Sequence, residues 1–270
     1  MIPRLRLGPL PPLTRAAPES YSGRAAMGDN AAPSARAWTL AVAGAVWLLT
    51  AAFIRIPAAQ TPDPSFFRPS AGDVARPSGL PEIGLWMVGP DLKYAHWMGE
   101  RFEGKRLREP INIILSDAYA ADEGQAVRRF LAFCGKAGFI SRSGHSSGYF
   151  GWLGSRLYPQ LPLEKNHCLA DEPFELNNNH GRFFGPAKQG SEFVFIGALS
   201  REKISLLVRA KHGYVSFDRA RDAFADALVR RAGFSVRDDV LLKNALLDDP
   251  ETGTGDHDGV AVWLAAPERM

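Results

Sequence analysis

The apolar positions of this chain follow two different rules. Between Ala37 and Ile54 they run for 18 residues without a charge and without a polar face. Beyond residue 80 they recur at the spacings of helices and strands. As a helix rising 1.5 Å per residue, the first run is ~27 Å long, close to the ~30 Å hydrocarbon core of a bilayer. It predicts a transmembrane or signal-anchor helix over residues 37–56, with the membrane as partner of residues 37–54. Arg36 precedes the run and Trp38 sits near that end. The positive-inside rule then leaves the N-terminus cytoplasmic and the rest of the chain extracytoplasmic. Cleavage after Ala59 would instead release a secreted or periplasmic protein, although Pro57 stands where a small residue is usual. A soluble core helix is the remaining alternative, and it would carry the polar face that this run lacks.

The later pattern is globular. Ile111–Leu115, a β-branched run behind Pro110, predicts a buried strand. Over Asp122–Gly138, Val127, Phe130, Leu131 and Cys134 share one helical face, and Arg128 and Arg129 lie on the other. Gly135 or Gly138 can end that helix. Ser147–Pro159 is aromatic and broken by glycine, which fits strand or loop. Phe193–Ile196, within Gly190–Ser200, predicts another strand. A second helix runs from Ser216, its cap, to Ala232, with Asp218 at the positive end and Arg230 and Arg231 at the negative end. Val260–Leu264 is the last strand. This order predicts an α+β fold, a mixed β-sheet with two packed helices, in one domain over residues 80–270. A layered α/β sandwich is the nearest variant.

Composition alters the picture only towards the N-terminus. Residues 1–36 are rich in Pro, Ala and Arg without any period, and are expected to be disordered; Met27 offers a second start. Residues 57–79 hold prolines at 57, 62, 64, 69 and 77, which suits an extended spacer. The net charge of +3 belongs to the leader, since residues 1–60 hold six Arg against Glu19 and Asp29 and the remainder holds 26 basic and 27 acidic groups. A near-neutral domain with no Lys/Arg cluster and no zinc-finger spacing argues against a nucleic-acid partner. Cys134 and Cys168 lie outside any CxxC. Beyond a membrane they could form a disulfide, or they stay two separate buried thiols.

Several polar groups could carry chemistry. Gly144-His-Ser-Ser-Gly148 spells the elbow that presents a nucleophilic serine, here Ser146, with Asp256 and His257 following in the hydrolase order. The elbow needs a helix after the serine, and Gly151, Gly154 and Pro159 make a poor one, so a Gly-Ser turn accounts for the same letters. His145, His167, His180, His212 and His257 gather in the second half of the chain. No two have metal-motif spacing, so a divalent metal would need ligands brought together by the fold. Asn177–Phe184 suits a tight turn, or His180 and Arg182 there could hold an anion. Asp256-His-Asp-Gly259 suits a hairpin turn or, less simply, a cation site.

The order of these pieces, from Glu109 to Leu264, resembles the LssY C-terminal-like domain of bacterial membrane-associated proteins. The resemblance is carried by Pro110-Ile-Asn-Ile-Ile114, Ala137-Gly-Phe139, Tyr149-Phe-Gly151 with Arg156, and His180-Gly-Arg182-Phe183. It continues with His212 ahead of Asp218–Asp222, and ends at Gly255-Asp-His-Asp-Gly259. Asn179 stands where the family pattern has a second His, and residues 158–177 look peculiar to this chain. The resemblance implies a domain type and no established reaction. The expectation is therefore a membrane-anchored envelope binding or accessory module. Its polar site would lie around His145, His180, Arg182, His212 and Asp256 and would take an anionic small molecule or lipid headgroup. The alternative is a hydrolase, with Ser146 served by His145, Asp256 or His257, or with a histidine-bound metal.

Overall fold

The structure, a computed structural model, describes residues 63–102, 105–205, 211–246 and 255–269. The leader and the apolar segment 37–56 lie outside the described residues. Among those described, no helix is long and apolar enough to cross a membrane. In chain order the strands are β1 (Val74–Ala75), β2 (Ile83–Gly84), β3 (His96–Phe102), β4 (Lys105–Arg108) and β5 (Ile113–Asp117). After helix α1 (Glu123–Ala137) come β6 (Ile140–Ser143), β7 (Phe150–Leu153), β8 (Arg156–Leu161), β9 (His167–Ala170), β10 (Asn178–Gln189), β11 (Glu192–Ser205) and β12 (Lys211–Ser216). Helix α2 (Asp218–Ala227) is followed by β13 (Ser235–Leu241) and β14 (Val260–Ala265). The fold is α+β, with a mixed, curled sheet and two helices.

The long β10–β11 hairpin is the spine of the sheet. Near its turn, β10 pairs with β8 and β11 with β5, which β14 joins in parallel. The hairpin outgrows these neighbours, and its open end is flanked instead by β9 and β12. Alternation separates its two faces. Phe183, Phe195 and Leu199 point to the helices, where Phe130 stacks on Phe195 at 4.9 Å and Phe183 meets Phe224 at 5.0 Å. Phe184, Val194, Ile196 and Ala198 pack on the other side against Met87, Ile111 and Ile114. Each buried aromatic or branched side chain contributes about 1.5–3 kcal/mol, so these two layers dominate the stability.

Both helices start and stop where the sequence indicates. Asp122 caps α1 by accepting from Gln125 N at 2.7 Å, and Gly138 ends it at φ 95°. Ser216 Oγ accepts from Arg219 N at 2.9 Å at the head of α2. The last turn, Leu228–Ala232, widens to a π-helix before Gly233. Two expectations are corrected. Residues 63–79 are not a bare spacer: β1 pairs with β2, Phe67 packs edge-on to Trp152 at 6.1 Å, and Asp73 accepts from Trp86 Nε1. Asn177–Phe184 is no turn, because its asparagines find partners across strands and Asn178 onward continues as β10.

Gly197 sits where strands and side chains approach closely. A Cβ there would lie 2.6 Å from both Ile113 Cγ2 and Phe183 Cδ1. Gly197→Ala is expected to lower unfolding free energy by about 2 kcal/mol, read as a reduced urea midpoint against wild type; an unchanged midpoint would show that the layer can yield.

Candidate functional site

On the face away from the helices, the hairpin changes character along its length. Beyond Phe184, β10 presents Arg182, His180 and Asn178 at alternate positions. Opposite them, β11 presents Ala198, Ser200 and Glu202. On β12, Tyr214 pairs with Glu202 and His212 with Ile204, which brings the His212 ring beside the Glu202 carboxylate. The loop between β6 and β7 then folds over the cluster and delivers His145. Its ring lies 4.5 Å from that of His180 and 6.5 Å from that of His212, with Phe174 edge-on at 3.9 Å.

The hydrogen bonds of the cluster have a definite direction. Asn178 Nδ2 donates to Leu176 O and to Glu202 Oε1 at 2.8 Å. Its Oδ1 is therefore free to accept from His180 Nδ1 at 2.9 Å. That fixes the His180 tautomer, and the Nε2 lone pair accepts from Ser200 Oγ at 3.1 Å. His212 Nδ1 donates to Glu202 Oε2 at 2.9 Å. Glu202 is only 1% exposed, and these donors are what make such burial tolerable.

Two atoms escape the scheme. His145 Nε2 and Arg182 Nε are the buried side-chain polar atoms without a protein hydrogen-bond partner among the described residues, and both belong to this cluster. His145 Nε2 lies 3.8 Å from Glu202 Oε1. Burial, with Arg182 and His212 nearby, pushes the His145 imidazole down to about 3 from an ordinary 6.5. Burial drives His180 well below the same value, aided by His145, Arg182 and His212. Glu109, 3.6 Å from Arg182 Nη1, is raised by burial and by Glu202, with Arg182 opposing. Cys168 is raised to about 12, again chiefly by burial. The buried cluster sets two carboxyl groups, Glu109 and Glu202, against one guanidinium, Arg182.

Two groups of residues could hold a metal ion: His145, His180 and Glu202, and Asp218, His257 and Asp258. They are not equivalent. In the second, the Arg221 guanidinium already serves as the cation, 2.7 Å from Asp258 and 3.2 Å from Asp218. His257 there is held by Asp218 at 3.0 Å and Asn244 at 3.1 Å. In the first, Glu202 has no Arg or Lys ion pair among the described residues, and the ligands' donor atoms are within 4.8 Å of one another. A metal–ligand distance of ~2.1 Å places tetrahedral ligands about 3.4 Å apart, so a small contraction suffices.

No protein-family model matches the chain, and neither a curated protein nor a solved structure matches it.

Of the residues singled out in the sequence, His145, His180, Arg182 and His212 come together. Asp256 does not join them; its carboxylate accepts from Tyr214, Ser216 and the backbone N–H of Phe217 at the head of α2. The serine triad is not assembled. Strand β7, not a helix, follows Ser146, whose Oγ meets Tyr149 at 3.0 Å, and both ring nitrogens of His257 are engaged elsewhere. Cys134 and Cys168 are free buried thiols in separate apolar clusters. Glu202, Asn178, Ser200 and Glu109 were missed. The signal for Asn178 was the alternation Asn178, His180, Arg182, visible only once the segment is taken as a strand.

The depressed imidazoles give a pH dependence of definite sign. Folded His145 resists protonation until about pH 3, whereas the unfolded chain takes up a proton near 6.5. Stability is thus full above pH 6.5 and falls as pH drops towards 3. Urea midpoints measured in chelator from pH 7 to 4 should decline more shallowly in His145→Gln than in wild type. Parallel declines would mean that His145 titrates normally.

Proposed function

We propose that this chain is an extracytoplasmic, membrane-anchored module, LssY-C-like in its segment order, whose centre binds a divalent transition metal through His145, His180 and Glu202. The observation that carries the reading is the buried, unpartnered Nε2 of His145 facing Glu202 Oε1 at 3.8 Å. Three further features support it. His145 and His180 are held neutral by burial, so His145 offers a free lone pair and His180 one that a metal would take over from Ser200 Oγ. Asn178 orients His180 through its distal nitrogen, the usual support of a metal-binding histidine. Glu202, 1% exposed, adds an oxygen ligand whose ion-pair partners among the described residues are histidines alone.

A set of two histidines and one glutamate is the pattern of zinc centres that keep a fourth position for a ligand. His212, half-exposed and bonded to Glu202, stands beside that position. This favours a centre that acts on or binds something over one that staples the fold. The membrane anchor over residues 37–54 would hold the centre at the outer surface of the membrane.

Zinc titration of the full-length, chelator-treated protein in detergent should give one equivalent by calorimetry. His145→Ala and Glu202→Gln should each weaken it by more than about 100-fold, and Asn178→Ala by about 10–100-fold. Asp258→Asn should leave it unchanged. Absence of binding, or a loss confined to Asp258→Asn, would overturn the assignment.

A further inference from the structure

Three arginines are buried among the described residues, and they are not used alike. Arg129 is closed off by Asp117 at 2.6 Å, Pro267 O at 2.7 Å and Glu268 O at 3.1 Å. Arg221 is closed off by Asp258 at 2.7 Å, Asp222 at 2.8 Å and Val260 O at 2.9 Å. Arg182 has no such partner. Its Nη1 stands 3.6 Å from Glu109, and its Nη2 lies 3.4 Å from Ser146 Oγ and 3.5 Å from Ser146 O. All three are longer than the 2.7–3.2 Å of a well-formed bond. Its Nε has no protein partner at all, although the side chain is only 5% exposed. A guanidinium has five N–H donors, and leaving them unmade in a buried site is costly.

The open edge of Arg182 has a defined setting. The guanidinium carbon lies 4.4 Å from the centre of the Tyr149 ring, which holds the plane in place. The Nε–Nη2 side faces Ser146, whose hydroxyl is 3.0 Å from the Tyr149 hydroxyl. Arg182 is two residues from His180 on the same face of β10, and Ser146 is next to His145. The donors therefore border the metal position of the preceding reading, on which this inference rests. The segment that carries His145 and Ser146 is bounded by Gly144 at φ 116° and Gly148 at φ 90°, with Tyr149 just beyond it. Those left-handed glycines let this short segment cross the cluster with no helix behind Ser146.

We infer that Arg182, Ser146 and Tyr149 form the anion half of the site and hold a phosphoryl group, one oxygen of which reaches the metal. A carboxylate has two oxygens and, with one on the metal, would leave part of the donor set unused. A tetrahedral phosphoryl group has enough oxygens for the guanidinium edge, the two hydroxyls and the metal together. A divalent ion at the His/Glu half would add two positive charges beside the Arg182 guanidinium, so the anion follows the metal. Gly-His-Ser-Ser-Gly is then a strap that supplies a metal ligand and an anion donor from adjacent residues.

The test uses full-length protein in detergent and inorganic phosphate as probe, titrated with and without one equivalent of zinc. Phosphate should bind at least about tenfold more tightly to the zinc-loaded protein. Arg182→Lys keeps the charge but loses the forked edge; it should cost phosphate about tenfold or more while zinc affinity stays within about threefold. Should that variant not fold, Ser146→Ala combined with Tyr149→Phe keeps the ring under Arg182 and should weaken phosphate by a similar factor. Zinc binding with no phosphate binding, or with phosphate affinity indifferent to these substitutions, sinks the inference and leaves the metal centre standing. No zinc binding sinks the metal centre first. Displacement of bound phosphate by phosphatidic acid in mixed detergent micelles, and not by phosphatidylcholine, would assign the phosphoryl group to a lipid headgroup. Phosphate binding that phosphatidic acid does not displace would assign it to a soluble phosphate.

Discussion

The pairing register of β10 with β11 decides where each polar group of this domain falls. A slip of one residue would carry Asn178, His180 and Arg182 to the helix side and put Phe183 in their place. What prevents the slip lies on the opposite face from the chemistry. Phe183 is wedged between Phe130 and Phe224, each ring centre 5.0 Å away, and Leu199 belongs to the same layer. Gly181 and Gly197 stand where a Cβ would strike side chains across the strand. Aromatic packing against α1 and α2 thus holds the alignment from which Glu202 meets Asn178 and His180 meets Ser200.

That face is apolar only for part of its length, and the change has an energetic consequence. Burying a carboxylate, a guanidinium and two imidazoles is unfavourable unless each finds partners. Glu202 and His180 do, through a directed set of bonds that runs from Ser200 to His180, to Asn178, and on to Glu202. His145 Nε2 and Arg182 Nε do not. The second ionic cluster shows what a completed network looks like. There Arg221 ties Asp218 and Asp222 of α2 to Asp258 at the approach to β14, while His257 is clamped between Asp218 and Asn244. Asn244 also donates to Leu85 O and Ile111 O, so that network joins the two apolar layers. The contrast separates groups that hold the fold from groups left with capacity for a ligand.

Local chemistry was legible where it is self-contained. Asp122 and Gly138 bound α1, Ser216 supports α2, and the apolar runs Ile113–Leu115, Phe193–Ile196 and Val260–Leu264 lie in strands, because caps and periodic faces depend on neighbours within a few residues. Residue type alone points to a convergence of His145, His180, Arg182 and His212, and their spacing offers no support for it. The turn expected at Asn177–Phe184 failed because asparagine bonds backbone in turns and carboxylates across strands, and the sequence does not say which partner will be near. Asp171 and Glu202 turned out to be those partners.

Alone, the sequence determined the two helices and their ends, the apolar strand centres and the charge asymmetry of the leader, all short-range properties of the chain. The tertiary structure decided that Asp256 caps a helix, that His257 and Arg221 complete a structural network, and that Glu202 and Asn178 belong with the histidines. These depend on which strand lies beside which, over separations such as the 42 residues from Tyr214 to Asp256. Whether a buried polar group is satisfied is a property of the space around it, and only the folded chain defines that space.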